Sequence, residues 1–236
     1  MRSNKKLDMK RGIIIPKHNS EKLAEFIGIL AGDGYVNFKK DHDYTVSITG
    51  HMVDDEEYHI KHILPLFKSL FGLDPKIIIA TNKNARYVRV RSRTIVNFIK
   101  KQGFYKYKTK ISIPKWIFRE ERYTNKFLRG LVDTDGSISL KKRYRLIPYY
   151  PVISITVKNE KLIRRIAIYL KKKGFSLWYG LSRGYDKRFG RYSFVYKVQL
   201  SGLKNLSLWN STISFLNPKH IHKYKYAINI NGLEGI

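Results

Sequence analysis

Two apolar stretches of the same design constrain this chain more than any other feature. They span Phe26 to Gly34 and Phe127 to Gly136, and each has a glycine near its middle and ends in Asp-Gly. The apolar runs predict two helices, each ended by its final glycine and followed at once by a strand. Ordinary core helices with an Asp-Gly turn could explain one copy, but two copies with similar downstream patterns favour a shared functional role.

The glycines inside the runs, Gly28 and Gly130, predict that the two helices pack closely. Glycine within a helix costs roughly 0.5–1 kcal/mol relative to alanine, so its use twice indicates close backbone approach. This packing would set Asp33 and Asp135 side by side. A carboxylate in the last turn of a helix lies at the negative end of the dipole, and apolar neighbours raise the cost of leaving it unpaired. Both aspartates therefore predict a cationic partner.

The second stretch, Leu-Arg-Gly-Leu-Val-Asp-Thr-Asp-Gly at 128–136, resembles the motif that gives the LAGLIDADG homing endonucleases their name. The first, Phe-Ile-Gly-Ile-Leu-Ala-Gly-Asp-Gly at 26–34, matches more loosely because Ala31 replaces the inner aspartate. Both copies keep the final Asp-Gly that carries the chemistry in the family. The resemblance covers nearly the whole chain.

The charge of the chain points to a nucleic-acid partner. Its 236 residues include 47 Lys and Arg against 18 Asp and Glu, a net charge of +29. Such a surplus would repel itself without a polyanion, and no long apolar span supports a membrane role. The chain has no cysteine, which excludes disulfides and thiolate metal sites. The basic start lacks the apolar stretch of a secretory signal, so we expect an intracellular protein.

Both motifs are followed by the same succession of predicted elements, which indicates an internal repeat. Two strands, a helix, two strands and a further helix follow each motif helix, and Val46–Thr49 closely matches Ile153–Thr156. The resemblance implies an α+β fold of two pseudo-symmetric αββαββα repeats packed through the motif helices, each with a curved antiparallel four-stranded sheet that lies over DNA. The expected segments are a basic N-terminal segment (1–19) whose start is mobile, a first repeat (20–102), a linker (103–126) and a second repeat (127–236).

Alternation along the strands separates an inner apolar face from an outer polar face. The strand from Tyr87 to Arg93 is predicted to carry three arginines in a row, and Ser182–Arg191 is predicted to be a mobile loop along the phosphate backbone. Polar and cationic side chains suit contact with groove edges and phosphates, although a solvated sheet face would look similar. The residues predicted to bind DNA are Tyr35, Asn37, Lys39, Ser47, Thr49, Arg89, Arg91, Arg93, Ser137, Ser139, Lys141, Ser154, Thr156, Lys158, Arg183, Lys197 and Gln199.

The resemblance also implies the chemistry, which is hydrolysis of phosphodiester bonds with Mg²⁺ or Mn²⁺. Asp33 and Asp135 would be the catalytic carboxylates and metal ligands, one for each DNA strand. In relatives the residue just before the catalytic aspartate lends its carbonyl oxygen, and here those residues are Gly32 and Thr134. Hard divalent cations prefer such oxygen ligands. The seven histidines show no zinc-binding pattern.

Relatives also place a lysine near each scissile phosphate, shortly after the third helix of each half. The similar sequences Phe104–Lys108 and Ile221–Lys225 nominate Lys108 and Lys225, although solvated or phosphate-binding lysines are an equal alternative in so basic a chain. Lys158, with His51 as its counterpart, forms a second candidate pair. Many relatives carry a glutamine one place earlier, where this chain has Gly50 and Val157, so the placement of the attacking water stays open.

These features together predict a monomeric, site-specific double-strand DNA endonuclease, because one chain holds both motifs. One alternative is an intron RNA maturase of the same fold, since the charge suits either polyanion. Another is a catalytically inactive DNA-binding protein, although a protein that only bound DNA would gain from losing two acids near phosphate.

Overall fold

The computed structural model describes residue 8 and residues 10–38, 44–104, 111–144, 146–186 and 190–232. The chain forms two compact units, of which the first comprises Met1–Thr134 with Leu216–Lys219 and the second comprises Asp135–Phe215 with His220–Ile236. Within the described ranges, no helix is both long enough and apolar enough to cross a membrane.

Among the described residues of the first half, the elements that form the repeat are three helical regions and four strands. The side chain of Ser20 accepts a hydrogen bond from Leu23 N at 3.2 Å and so begins the first helix. The second helical region, α2, is interrupted by a π-helical turn. The elements in order are α1 (Glu21–Asp33), β1 (Gly34–Phe38), β2 (Tyr44–His51), α2 (Glu56–Tyr58, the π-helical turn His59–Ile63, and Leu64–Phe71), β3 (Lys76–Ala80), β4 (Ala85–Arg91) and α3 (Arg93–Lys101).

The second half repeats this order and adds a helix at its end. Asn159 caps its middle helix by accepting a 3.1 Å hydrogen bond from Leu162 N. The elements are α4 (Glu121–Asp135), β5 (Ser137–Lys141), β6 (Tyr150–Val157), α5 (Glu160–Lys172), β7 (Leu177–Asp186), β8 (Arg191–Ser201), α6 (Leu203–Thr212) and α7 (Pro218–Asn229).

Each half has one antiparallel four-stranded sheet, ordered β1-β2-β4-β3 in the first and β5-β6-β8-β7 in the second. One face of each sheet is apolar and lies under helices. In the first sheet Val46, Ile48 and Val88 are completely or almost completely buried, and in the second Ile155 and Val198 are. The predicted α+β fold with two similar repeats is confirmed.

The structure corrects the prediction for Arg93. Strand β4 ends at Arg91, Ser92 caps the next helix, and Arg93 is the first residue of α3. Its guanidinium lies over the ring of Tyr44, 5.1 Å from the centroid, and not in line with the strand arginines. The helix begins here because the side chain of Ser92 accepts a hydrogen bond from Ile95 N at 3.1 Å.

The predicted mobile loop at Ser182–Arg191 is also wrong for most of its length. Strand β7 continues to Asp186 and β8 begins at Arg191, and the two stay paired throughout, with Arg183 opposite Phe194. Where it is described, the basic N-terminal segment is bound to the first unit, since Ile14 N donates a 3.1 Å hydrogen bond to the carbonyl of Phe71. Its start, which the sequence predicts to be mobile, lies outside the described residues. Helix α7 was not predicted.

Candidate active site

The two motif helices, α1 and α4, meet in backbone contact at their glycines. A Cβ added to Gly28 would collide with the carbonyl oxygen of Phe127, and a Cβ added to Gly130 would collide with the carbonyl oxygen of Glu25. The space that a side chain needs is therefore filled by the neighbouring helix. This is the close packing that the paired glycines predict.

A buried ion cluster ties the same two helices together. Glu25 of α1 is only 3% exposed, and its carboxylate accepts hydrogen bonds from Arg129 Nε at 2.9 Å and Nη2 at 2.7 Å. His62 Nε2 lies 2.9 Å from the same carboxylate. Burial works to raise the pKa of Glu25, but the hydrogen bonds from His62 and Arg129 outweigh it and hold that pKa below its usual range.

Both motif helices end at their aspartates. Asp33 is the last residue of α1 and is half-buried, while Asp135 is the last residue of α4 and is exposed. Neither last turn contains a basic residue, so no cation from its own helix end faces either carboxylate. Gly34 ends the helix in extended backbone, with φ −74° and ψ 145°. Glycine is needed there because a Cβ would lie 2.5 Å from Leu30 Cα.

Asp133, the inner aspartate of the second motif, is a structural residue that the sequence reasoning did not single out. It is fully buried, and its Oδ2 accepts a 2.9 Å hydrogen bond from Leu216 N, while among the described residues its Oδ1 has no hydrogen-bond partner. Burial raises its pKa to about 7, and the backbone hydrogen bond from Leu216 offsets only part of that shift. Ala31 at the same place of the first motif was the available signal that the two copies differ.

Asn217 connects Asp133 to a second buried carboxylate. Its Nδ2 donates hydrogen bonds to Asp133 O at 2.9 Å and to Asp55 Oδ1 at 2.8 Å. The other partners of Asp55 are Lys219 Nζ at 2.9 Å and His51 N at 2.8 Å. Burial works to raise the pKa of Asp55, but the hydrogen bonds from Asn217 and Lys219 prevail and lower it. The cluster fixes residues on three elements of the first unit.

In the first sheet, cross-strand register places the predicted DNA-binding residues on the face opposite the core. Tyr35 pairs with Ser47, and Ser47 pairs with Arg89 on its other side. The small polar side chains on this face are shielded, since Asn37 is 6% exposed and Ser47 is 3% exposed. Reachable surface therefore comes from the longer side chains, including Tyr35 and the two strand arginines, and from the half-buried Thr49. Lys39 lies outside the described residues.

In the second sheet, all but two of the predicted residues occupy the face opposite the core. Ser154 pairs with Gln199 and Thr156 with Lys197, and the strand alternation puts Ser137, Ser139 and Lys141 on the same side. Lys158 follows the end of β6 and is exposed.

Arg183 does not share that outer face. It lies on the same side of the hairpin as Tyr179 and Leu181, and its guanidinium sits 3.6 Å from the ring centroid of Tyr192. Alternation along β7 separates it from the face that carries Lys197. Its place on the helix side of the sheet was not foreseen.

The lysine candidates are only partly placed by the structure. Lys225 lies on α7 and is exposed, whereas Lys108 lies outside the described residues. His51, the proposed counterpart of Lys158, contacts its own unit: its Nε2 is 2.6 Å from Asn84 Nδ2, and its Nδ1 is 3.2 Å from Asp54 Oδ2.

The donors at the motif ends are hard oxygen atoms. The carboxylates of Asp33 and Asp135 and the carbonyl oxygens of Gly32 and Thr134 suit Mg²⁺ or Mn²⁺, and the exposure of Asp135 leaves its carboxylate accessible to a ligand. Throughout the described ranges, no group of three or more His, Cys, Asp or Glu residues could hold a metal ion. Because Mg²⁺ is commonly held by one or two carboxylates with phosphates and water, this donor set fits such an ion.

Comparison with known proteins agrees with the motifs. Residues 122–207 match the model of the LAGLIDADG-like domain family. An uncharacterized protein of Methanocaldococcus jannaschii, MJ0314, is 26% identical over 176 residues, which is 73% of this chain and 62% of that protein, so the chain spans about three fifths of its relative.

Solved structures share the fold. The homing endonuclease I-WcaI bound to its DNA recognition sequence has a TM-score of 0.60 at 14% identity, covering 94% of this chain and 93% of its own. I-DmoI in complex with DNA and Mn has a TM-score of 0.54 at 22% identity, covering 82% and 96%. I-DmoI with DNA and Ca has a TM-score of 0.56 at 18% identity, covering 87% and 97%. The chain therefore has the fold of the LAGLIDADG homing endonucleases, and its residues 122–207 match the LAGLIDADG-like domain.

Proposed function

We propose that the protein is a metal-dependent, site-specific endonuclease that cuts both strands of duplex DNA and acts as a monomer. The observation that carries this proposal is the pair of motif helices in backbone contact, each ending in Asp-Gly. Two acids kept at unfavourable helix ends in a chain of net charge +29 indicate a use for carboxylates beside a polyanion. We take the repeats that supply them as residues 20–102 and 127–236, joined by 103–126, although helix α4 already begins at Glu121, inside the predicted linker.

Asp33 and Asp135 would each hold a divalent ion together with the carbonyl oxygen of the preceding residue, Gly32 or Thr134. When bound, Mg²⁺ or Mn²⁺ polarises the phosphoryl oxygen and makes water a better nucleophile. The protein's part is to fix these oxygen donors, and the rigid contact between the two helices does so by leaving them no room to slide.

Lys225 and Lys108 are the proposed cationic groups of the two reaction centres. An ammonium group near the scissile phosphate stabilises negative charge that develops in the transition state. Lys158, exposed after β6, is a second candidate for this role. The departure from the usual glutamine at Gly50 and Val157 means that another group must orient the water.

The outer sheet faces would bind the DNA. Strand residues facing away from the core contact groove edges and phosphates, and the exposed arginines supply most of the salt-dependent affinity. The named structural neighbours I-DmoI and I-WcaI are bound to DNA, which supports duplex DNA as the partner. On this basis we favour DNA over intron RNA.

Cleavage of a randomised duplex library tests the proposal. Reactions with Mg²⁺, Mn²⁺, Ca²⁺ or EDTA should yield enriched double-strand cuts with Mg²⁺ or Mn²⁺, and none with EDTA. Asp33→Asn and Asp135→Asn should each abolish cutting or leave single-strand nicks, while Glu120→Gln, at an exposed glutamate, should cut normally. Specific binding without any cut under all four conditions would instead mean an inactive DNA-binding protein.

A further inference from the structure

A basic cavity lies at the corner of the first sheet where β3 begins. Its volume is about 540 Å³, and four cationic side chains line it: Arg11, Lys76, Arg89 and Arg91. Lys76 and Arg89 are cross-strand neighbours on the outer face, and Arg91 follows two residues later on the same face. The cavity is therefore continuous with the surface proposed to bind DNA.

Arg11 reaches this corner because the N-terminal segment is anchored beside it. The carboxylate of Asp8 is buried, and its Oδ2 accepts hydrogen bonds from Ser92 Oγ at 2.9 Å and from Thr94 N at 3.0 Å. Asp8 thus adds to the cap of α3 from more than eighty residues away in the chain. A carboxylate is also favourable at this end of a helix.

The guanidinium of Arg11 is fixed but remains accessible. Its Nη1 donates a 2.6 Å hydrogen bond to the carbonyl of Arg91 and lies 3.5 Å from Asp8 Oδ1, yet 40% of the side chain is exposed. Arg91 lies beyond the last residue of β4 that pairs with β3, so Arg11 occupies the place where a neighbouring strand would otherwise bond. Its remaining N–H groups can still donate to a ligand.

Acids balance only part of the charge in this cavity, since Asp8 Oδ1 lies 3.5 Å from Arg11 Nη1. The one acidic side chain in its lining is Asp74, which is 3.1 Å from Lys68 Nζ. Nε of Arg89 is buried and, among the described residues, has no hydrogen-bond partner. Four cations around an open cavity, with spare N–H donors, match the phosphates of a nucleic-acid backbone.

We propose that Arg11 and Lys76 complete a site for a backbone phosphate of bound duplex DNA, and that the N-terminal segment is thereby part of the DNA interface. The proposal rests on the proposed function for its ligand. It adds a contact from outside both repeats, at the corner of the first sheet. Asp8 acts as a positioning residue, because it holds the segment without facing the ligand.

Salt dependence of binding gives the test. A duplex selected by binding in Ca²⁺, which allows affinity to be measured without cutting, is titrated at several salt concentrations. Each phosphate contact contributes about 0.9 to the slope of log Kobs against log salt. Arg11→Gln should lower the slope by about 1, and Arg11→Lys should restore it. Lys61→Gln is the matched control, since it removes one charge from an exposed helix position of the same unit.

Two further measurements, on Asp8→Ala and on duplexes with single neutralised phosphates, identify the contact responsible for the change in slope. Asp8→Ala keeps the charge of Arg11 but releases the segment, so its slope should fall as in Arg11→Gln, and the double variant should show no further loss. Replacing single phosphates by methylphosphonates should reveal one position whose neutralisation weakens binding by the wild type but not by Arg11→Gln. Urea unfolding of each variant checks that the fold is intact.

The outcomes separate the two proposals. If the wild type selects no duplex, the proposed function fails. If it selects one but Arg11→Gln keeps the full slope, or shares its loss with Lys61→Gln, the phosphate site is refuted while the endonuclease proposal stands. The site is supported if the slope falls only in the Arg11 and Asp8 variants, and if one methylphosphonate position weakens binding by the wild type but not by Arg11→Gln.

Discussion

Replacing Gly28 by alanine should destabilise the protein, although the same change usually strengthens a helix. In isolation, Gly→Ala within a helix gains about 1 kcal/mol. Here the new Cβ would collide with the carbonyl oxygen of Phe127 and would lie 2.9 Å from its carbonyl carbon and 3.0 Å from Leu131 N. These are backbone atoms of α4, so no side-chain rotation relieves the contact.

The expected change in the free energy of unfolding is the difference between these two effects. Overpacking a well-packed interior costs about 1–3 kcal/mol, and a backbone neighbour places this case at the upper end or beyond. After the helix gain is subtracted, we expect a net loss of about 2 kcal/mol, or a fall in Tm of roughly 4–8 °C for a chain of this size. Gly130→Ala should behave alike because its Cβ would lie 3.0 Å from Ile29 N, in addition to colliding with Glu25 O.

Gly184→Ala is the matched control. No atom lies within 4 Å of an added Cβ there, and the residue sits in strand β7 with an ordinary backbone angle. We expect a change of no more than about 0.5 kcal/mol. Urea unfolding of the three variants with equal m-values would isolate the stability effect. Should Gly28→Ala stabilise the protein, or lose no more than Gly184→Ala, the backbone contact between the motif helices would be refuted.

Three further predictions concern buried polar groups. Burial, together with Arg86 and Lys219, lowers the pKa of His59 to about 4. The neutral imidazole therefore stabilises the fold fully above pH 6.5, and the free energy of unfolding falls by about 3 kcal/mol as the pH drops to 4. His59→Gln should remove that loss in unfolding curves recorded at pH 7 and 4.5. Glu25→Gln should lower the free energy of unfolding by about 3–5 kcal/mol, because it leaves the largely buried Arg129 without its ion partner, and adding Arg129→Met should recover part of that loss. Additive losses in the double variant would contradict the pairing. Asn217→Leu should cost roughly 2–3 kcal/mol, because it strips a hydrogen bond from each of two buried acceptors; a neutral result in the same assay would contradict the bridge.

Local signals predicted most of the fold. The side chains of Ser20 and Asn159 begin their helices by accepting a hydrogen bond from the backbone N–H of the third residue on. Such features depend on a few neighbouring residues, so they can be identified from the sequence. The two motifs also predicted the backbone contact between α1 and α4, because a glycine at the same place in both runs indicates close packing.

The elements whose bounds were predicted wrongly depend on contacts between residues that are far apart in the sequence. The alternation that ends β4 continues through Arg93, but Asp8 and Ser92 together supply acceptors for the first N–H groups of a helix and end the strand early. At 182–191 the glycines and basic residues suggested a loop, yet the partner strand pairs residue by residue along the whole hairpin, with Tyr185 opposite Tyr192. Neither cause is visible within a short window of sequence.

The inner aspartate shows why the two motif copies are not interchangeable. Asp133 and Asp55 share the amide of Asn217, whose Oδ1 also accepts from Lys219 N at 3.2 Å at the start of α7. Both N–H groups and the oxygen of the Asn217 side chain are used, so neither an aspartate nor an apolar residue could replace it without leaving a buried group unsatisfied. The first motif carries Ala31 at this place, which has no side-chain oxygen to accept a hydrogen bond like the one from Leu216 N to Asp133 Oδ2. The asymmetry therefore lets residues 216–219 belong to the first compact unit although they follow the second sheet in sequence, and it makes the start of α7 dependent on the second motif helix.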